Sequence, residues 1–135
     1  FITNKFPEES KIIALARDIN NFKPKWCLKK IESEIEKLKQ IDKLKIKIGV
    51  FGLSFKPNID DLRESPALQI AIEISKKNYS SFFFEPNIDE HDVLKISKIN
   101  NELLESLDLA IILVKHQEFK NLRFSNTTMV LDFTG

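Results

Sequence analysis

Between Gly52 and Ser65 the chain reads GLSFKPNIDDLRES, setting two cations, Lys56 and Arg63, among three carboxylates, Asp60, Asp61 and Glu64. A lysine four residues beyond a glycine is a flexible point charge that pairs with a phosphate or sugar oxygen. Arg63 has carboxylates on both sides, and either Asp60 or Asp61 can hold its guanidinium in place. That pairing serves two readings, a ligand-facing cleft and a salt-bridge network that only shapes the loop. The carboxylates lack the spacing of a calcium loop, so no metal site is expected.

Other reactive side chains are sparse. His91 and His116 have no partner at metal-ligand spacing and read as surface or structural histidines. Cys27, beside Trp26 in a helical pattern, reads as a buried inert thiol. No nucleophile paired with a base is recognisable, so no catalytic residue is assigned. The sequence describes a unit that binds.

Such a loop needs a strand before it and a helix after it. Leu44, Ile46, Ile48 and Val50 alternate, which predicts a strand over 45–51 with that face in the core. Lys45 and Lys47 make the opposite face wet at its start, and Gly49 and Phe51 predict that it becomes covered. Counted from Gly49, Phe51 and Ser54 stand where a dinucleotide fingerprint has its second and third glycines, so this GxxG is weak evidence for a phosphate loop. Gly49 is expected to make room for a neighbouring helix, and Gly52 to permit a tight turn or a close backbone approach. Ser65 as cap and Pro66 at the first position predict a helix from there to Asn78.

Further strands are expected at 81–85, weakly at 93–96, at 109–114 and at 129–132. A turn or short helix is expected over 87–92, a helix over 101–107 capped at Asn100 or Asn101, and a helical turn within 115–121. Residues 8–40 are helical in pattern, and Pro24 makes them one kinked helix or two. Glu32, Glu34 and Glu36 are placed on the solvent side of this segment. It is too long for a small α/β unit to cover, so the rest of its length calls for another domain or chain. The expected fold is α/β, a Rossmann-like three-layer sandwich with a mostly parallel sheet, preceded by a long connecting helix. Residues 1–43 are read as the connecting helical segment, with the joint at 41–45, and residues 44–135 as the Rossmann-like domain.

Composition sets the outer bounds. The chain has 135 residues, 42% apolar and 30% charged, with a formal net charge of +1. That balance gives no argument for a nucleic-acid partner, and no apolar run approaches the ~20 residues of a membrane span. The first residues, FITNKFPEES, carry no signal-peptide pattern. Phe1 is not an initiator methionine and Gly135 follows directly on an apolar stretch, so a piece of a longer protein is expected. A single cysteine excludes an intrachain disulfide and suits a reducing, cytoplasmic compartment.

The run Phe55–Ala67, FKPNIDDLRESPA, resembles the signature of the C-terminal domain of UDP-glucose/GDP-mannose dehydrogenases. Glu85-Pro86-Asn87-Ile88 and the run from Leu113 to Lys120, LVKHQEFK, bring it nearest to the branch acting on UDP-N-acetyl-D-mannosamine. Ala16-Arg17-Asp18-Ile19-Asn20 with Lys23-Pro24 resembles the family's long helix, which closes the middle domain and carries the dimer contact. The resemblance implies an NAD-dependent enzyme that oxidises C6 of a nucleotide sugar from alcohol to carboxylate. It implies that Phe55 and Lys56 contact the UDP-sugar and that Arg63 reaches towards NAD, which an N-terminal domain mainly binds. Asp60, Asp61 and Glu64 then position the arginine and favour the next helix start, with Gly52 supporting the turn. A homodimer through the long helix is implied as well.

There are departures. The family's GxCxxKD segment is absent, Cys27 does not correspond to it, and there is no N-terminal GxGxxG. Asp132-Phe133-Thr134-Gly135 stands where an Asp-Ala-Lys-Gly-like segment is usual. The chain alone is therefore expected to be inactive and to bind its nucleotide sugar weakly. A non-catalytic assembly module is the competing reading.

Overall fold

The computed structural model describes residues 7–40 and 45–135; Leu44 and most of the joint at 41–45 lie outside the described residues. Helix α1 spans Pro7–Lys39 and runs unbroken through Pro24. After it come β1 (Lys47–Phe51), α2 (Pro66–Ser75), β2 (Ser80–Phe84), α3 (Asn101–Ser106), β3 (Leu109–Ile112), a 3-10 turn at Gln117–Phe119, and β4 (Met129–Asp132). All strand pairs are parallel, in the order β2-β1-β3-β4. Ile48 is in register with Ser81 on one side and Leu109 on the other.

The alternation in β1 decides the layers. Ile46, Ile48 and Val50 join Cys27, Ile31, Ile35 and Leu38 of α1 and Ile70, Ala71 and Ile74 of α2 in one core. On the opposite face Lys47 is exposed, while Phe51 is fully buried with Phe84, Leu104, Leu107, Ala110 and Phe119. Phe51 stacks on Phe84 at 4.6 Å and meets Phe119 edge-on at 5.5 Å. A Cβ on Gly49 would stand 2.6 Å from Leu107 Cδ1, so the glycine makes room for the end of α3. The result is the three-layer α/β sandwich expected, with a long helix in front.

Several expectations change in detail. Glu34 is buried on the packed face of α1, not on its solvent side, and its carboxylate takes Lys37 Nζ at 3.0 Å and Lys30 Nζ at 3.2 Å. Its spacing of three from Ile31 and four from Leu38 explains the placement. The weak strand at 93–96 reduces to a single bridge between Ile96 and Phe83. Trp26, which the helical pattern groups with Cys27 and Ile31, lies half exposed against Phe133, at 6.1 Å between ring centroids, while those two are buried. Towards its start α1 leaves Ile12, Leu15, Ile19 and Phe22 at 60% exposure or more, so only its later half packs on the sheet. Among the described residues no helix is long and apolar enough to cross a membrane.

Candidate functional site

The carboxyl ends of four parallel strands open on one edge, where an open α/β sheet places ligands. Gly52 follows β1 with φ +89°, a conformation that L side chains rarely adopt. Its backbone also passes so close to the chain after β3 that an added Cβ would lie 2.5 Å from the Val114 carbonyl oxygen. The tight turn and the close approach are thus met together, and both act between protein segments.

Beyond the turn the loop to α2 is closed on itself. Phe55 N–H donates to the Asp61 carbonyl at 2.8 Å. Ser65 caps α2 by accepting from Leu68 N–H at 3.2 Å, and its hydroxyl donates to the Leu53 carbonyl at 2.6 Å, which ties the loop's end to its beginning. Asp61, not Asp60, holds the arginine. Its carboxylate takes Arg63 Nε and Nη2, each at 3.0 Å, and the Arg63 N–H at 3.0 Å. The Arg63 hydrogen bonds hold the Asp61 carboxyl below the usual carboxylate range, and Asp61 raises the arginine in turn. Asp60 is exposed, and Glu64 sits with φ +54° immediately before the cap and acts on Arg63 through its charge alone.

Phe55 and Lys56 emerge side by side. Phe55 is half exposed and the Lys56 ammonium lies 5.9 Å from its ring centroid. Phe55 and Ser54 line a cavity of about 250 Å³ with Lys23, Pro24 and Cys27 of α1, Pro66, Ala67 and Ile70 of α2, and Leu113, Val114 and Phe133 beyond β3 and β4. Burial here pushes the Cys27 thiol up from its ordinary value, as suits an inert group. Arg63 faces elsewhere, onto an open depression lined by Ile59, Asp60, Asp61, Leu62 and Ile88. Phe55 and Arg63 of the loop therefore line two different concavities.

The helix start beside the loop offers few free N–H groups. Pro66 brings no N–H to the first turn of α2, while those of Leu68 and Gln69 are taken by Ser65. The segment near residue 115 forms only the short 3-10 turn.

Under the loop lies a polar cluster that spacing did not reveal. Glu85, directly after β2, accepts from Leu53 N–H at 2.8 Å and Ser54 N–H at 3.1 Å through Oε2. The same oxygen lies 3.0 Å from His116 Nε2, and the Ser54 hydroxyl lies 3.1 Å from that nitrogen. Glu85, His116 and Ser54 are all buried, so His116 is the structural histidine of the two alternatives. His91 caps the turn at Val93 and Leu94 through Nδ1. The signal was position: Glu85 directly follows β2, and His116 comes two residues after the apolar run that ends at Val114 at the same edge.

The profile of the UDP-glucose/GDP-mannose dehydrogenase family, UDP binding domain, matches residues 49–134. A UDP-N-acetyl-D-mannosamine dehydrogenase of Campylobacter jejuni is 41% identical over 126 residues, covering 88% of this chain and 30% of that protein. One from Escherichia coli is 35% identical over 135 residues, covering 93% of this chain and 32% of that protein. A solved UDP-N-acetyl-mannosamine dehydrogenase from S. aureus superposes with a TM-score of 0.74 at 26% identity, covering 98% of this chain and 35% of its own. The chain thus spans about a third of the length of the curated relatives it matches. With the parallel sheet, the loop at its carboxyl edge and the matched residues in agreement, the chain belongs to the UDP-glucose/GDP-mannose dehydrogenase family and corresponds to its C-terminal UDP binding domain.

Proposed function

We propose that this chain supplies the nucleotide-sugar-binding part of an NAD-dependent 6-dehydrogenase acting on UDP-N-acetyl-D-mannosamine. Residues 44–135 form the binding domain in this reading, and residues 1–43 connect it to a middle domain. The observation that carries it is the cavity of about 250 Å³ at the carboxyl edge, walled in part by Phe55, whose ring centroid lies 5.9 Å from the Lys56 ammonium. Phe55 offers a flat apolar face to the ligand, and Lys56 a mobile cation for a phosphate oxygen. The names of the relatives favour the mannosamine sugar; another UDP-sugar of the same family is the alternative.

In the whole reaction the C6 alcohol would give up two hydrides in succession, one to each of two NAD molecules, take one oxygen from water and release three protons, ending as a carboxylate. NAD supplies the hydride acceptor. Of this chain's residues Arg63 fits a contact to it, because Asp61 occupies one side of the guanidinium and leaves the other turned to solvent. Gly52 does not fit a phosphate turn, being spent on the approach to Val114. NAD binding would thus rest mainly on a domain outside these residues, and the chain alone would not reduce NAD. Reduction of NAD by this chain and a UDP-sugar would overturn that statement. A cytoplasmic location accords with the nucleotide-sugar substrate and the free Cys27 thiol.

The test of the site is a titration of the chain with UDP followed by amide NMR. Signals of Gly52–Lys56 are expected to move, and Lys56→Ala to weaken binding by roughly tenfold. Unmoved signals at saturating UDP in a folded chain remove the reading. The assembly-module reading draws on one observation, the exposed Ile12, Leu15, Ile19 and Phe22 of α1. It would pair two copies through that helix, and sedimentation that finds a strict monomer at high concentration counts against it.

A further inference from the structure

We propose that His116, as a neutral imidazole carrying its proton on Nε2, is a positioning residue that sets the course of Leu53–Asn58 and so presents Phe55 and Lys56; its link to ligand binding rests on the nucleotide-sugar reading. The hydrogen bonds leave one consistent assignment. Asn58 N–H can only donate, and it points at His116 Nδ1 at 2.9 Å, so Nδ1 must offer a lone pair. The ring proton then sits on Nε2, facing Glu85 Oε2 at 3.0 Å and Ser54 Oγ at 3.1 Å. Ser54 Oγ accepts in that contact, because its own proton goes to the Lys56 carbonyl at 2.8 Å.

The consequence is a chain of bonds around the residues that face the ligand. The stretch Leu53–Asn58 is fastened before Phe55 by Glu85, at Lys56 by Ser54, and after Pro57 by His116. Asn58 adopts φ +61°, an uncommon conformation that asparagine tolerates better than most residues, and its Oδ1 accepts from Gln117 N–H at 2.8 Å. Both sides of Asn58 are thus tied to the segment after β3 that carries His116. Serine, histidine and carboxylate together suggest hydrolytic chemistry at first sight, but the arrangement cannot perform it. Serine and glutamate share one ring nitrogen, and the other nitrogen is occupied by a backbone N–H, so no lone pair is left to take a proton from Ser54.

The first measurement needs neither ligand nor variant. In the 15N-labelled chain at neutral pH, His116 is expected to show a pyridine-type Nδ1 and a pyrrole-type Nε2; a protonated Nδ1 overturns the proposal. The second compares two replacements. His116→Asn keeps an oxygen near the place of Nδ1, whereas His116→Gln is closer in volume but carries its amide at the Nε2 end. Protection of the Asn58 amide against exchange is expected to survive in His116→Asn and to fall roughly tenfold in His116→Gln. Equal losses, or the reverse order, mean that His116 only fills space, and overturn the proposal. If His116→Gln fails to fold, the wild-type tautomer decides. The third measurement is UDP affinity, expected to weaken roughly tenfold in His116→Gln and less in His116→Asn. A wild-type chain that binds no UDP removes the nucleotide-sugar reading, while tautomer and exchange still decide whether His116 sets the loop.

Discussion

The loop between β1 and α2 is held at its inner end by Glu85 and His116 and at its outer end by Asp61, which grips Arg63. The inner cluster is fully enclosed, with both side chains of the Glu85–His116 contact at 0% exposure. The outer pair is wet: the Arg63 side chain is 89% exposed and that of Asp61 35%. On paper the bonds are alike, near 3 Å in both places. They differ in what takes over when one partner is lost. At the inner end water cannot replace the missing partner, and each stranded donor bears its desolvation cost. At the outer end water and salt step in at once. The inner cluster therefore governs whether the loop has one shape, and the outer pair governs only where the guanidinium points.

The largest expected effect comes from the backbone at the inner end. Gly52→Ala forces a Cβ towards the Val114 backbone at a positive φ, and urea unfolding is expected to show a loss of about 3–4 kcal/mol. Glu85→Ala follows, at about 3 kcal/mol, because it strands the Leu53 and Ser54 N–H groups and the ring of His116. A loss below about 1 kcal/mol would show that water enters the cluster and would dissolve the contrast with the outer pair. Ser65→Ala removes both the α2 cap and the tie to Leu53, and about 1–2 kcal/mol is expected in the same assay.

Asp61→Asn is the smallest. No resolvable change in unfolding midpoint is expected, while the Arg63 Nε signal should lose its shift and its protection. The sign with pH follows from the lowered Asp61 carboxyl. Its contribution is present above the ordinary carboxylate range near pH 4 and is lost as pH falls through the depressed folded value. A titration of the Asp61 carboxyl carbon signal checks this, and a midpoint at or above the ordinary value would mean that the latch does not form in solution.

Much of the frame was legible because short-range patterns carry it. Alternation placed Ile48 and Val50 of β1, with Ile46 just before it, on one face, and Ser65-Pro66 marked the start of α2. The charged loop could also be placed at the carboxyl edge of the sheet, directly after β1 and before the Ser65 cap. Glu34 escaped because a charge count along a helix says nothing about which stripe packs. The depth of His116 escaped because its partners stand 31 and 58 residues away, at Glu85 and Asn58.

By itself the sequence determined the α/β class, the positions of the principal strands and helices, and the loop Gly52–Ser65 as the place where charge meets the sheet's edge. These follow from periodicity, capping and turn chemistry, all of which act within a few residues. Only the tertiary structure decided the order β2-β1-β3-β4, the choice of Asp61 over Asp60 for Arg63, and the enclosure of Glu85 and His116 beneath the loop. The strand order and the enclosure join residues far apart in the chain, and the choice between neighbouring aspartates turns on the loop's exact backbone path. Such contacts exist only once the core has fixed which strand ends lie side by side.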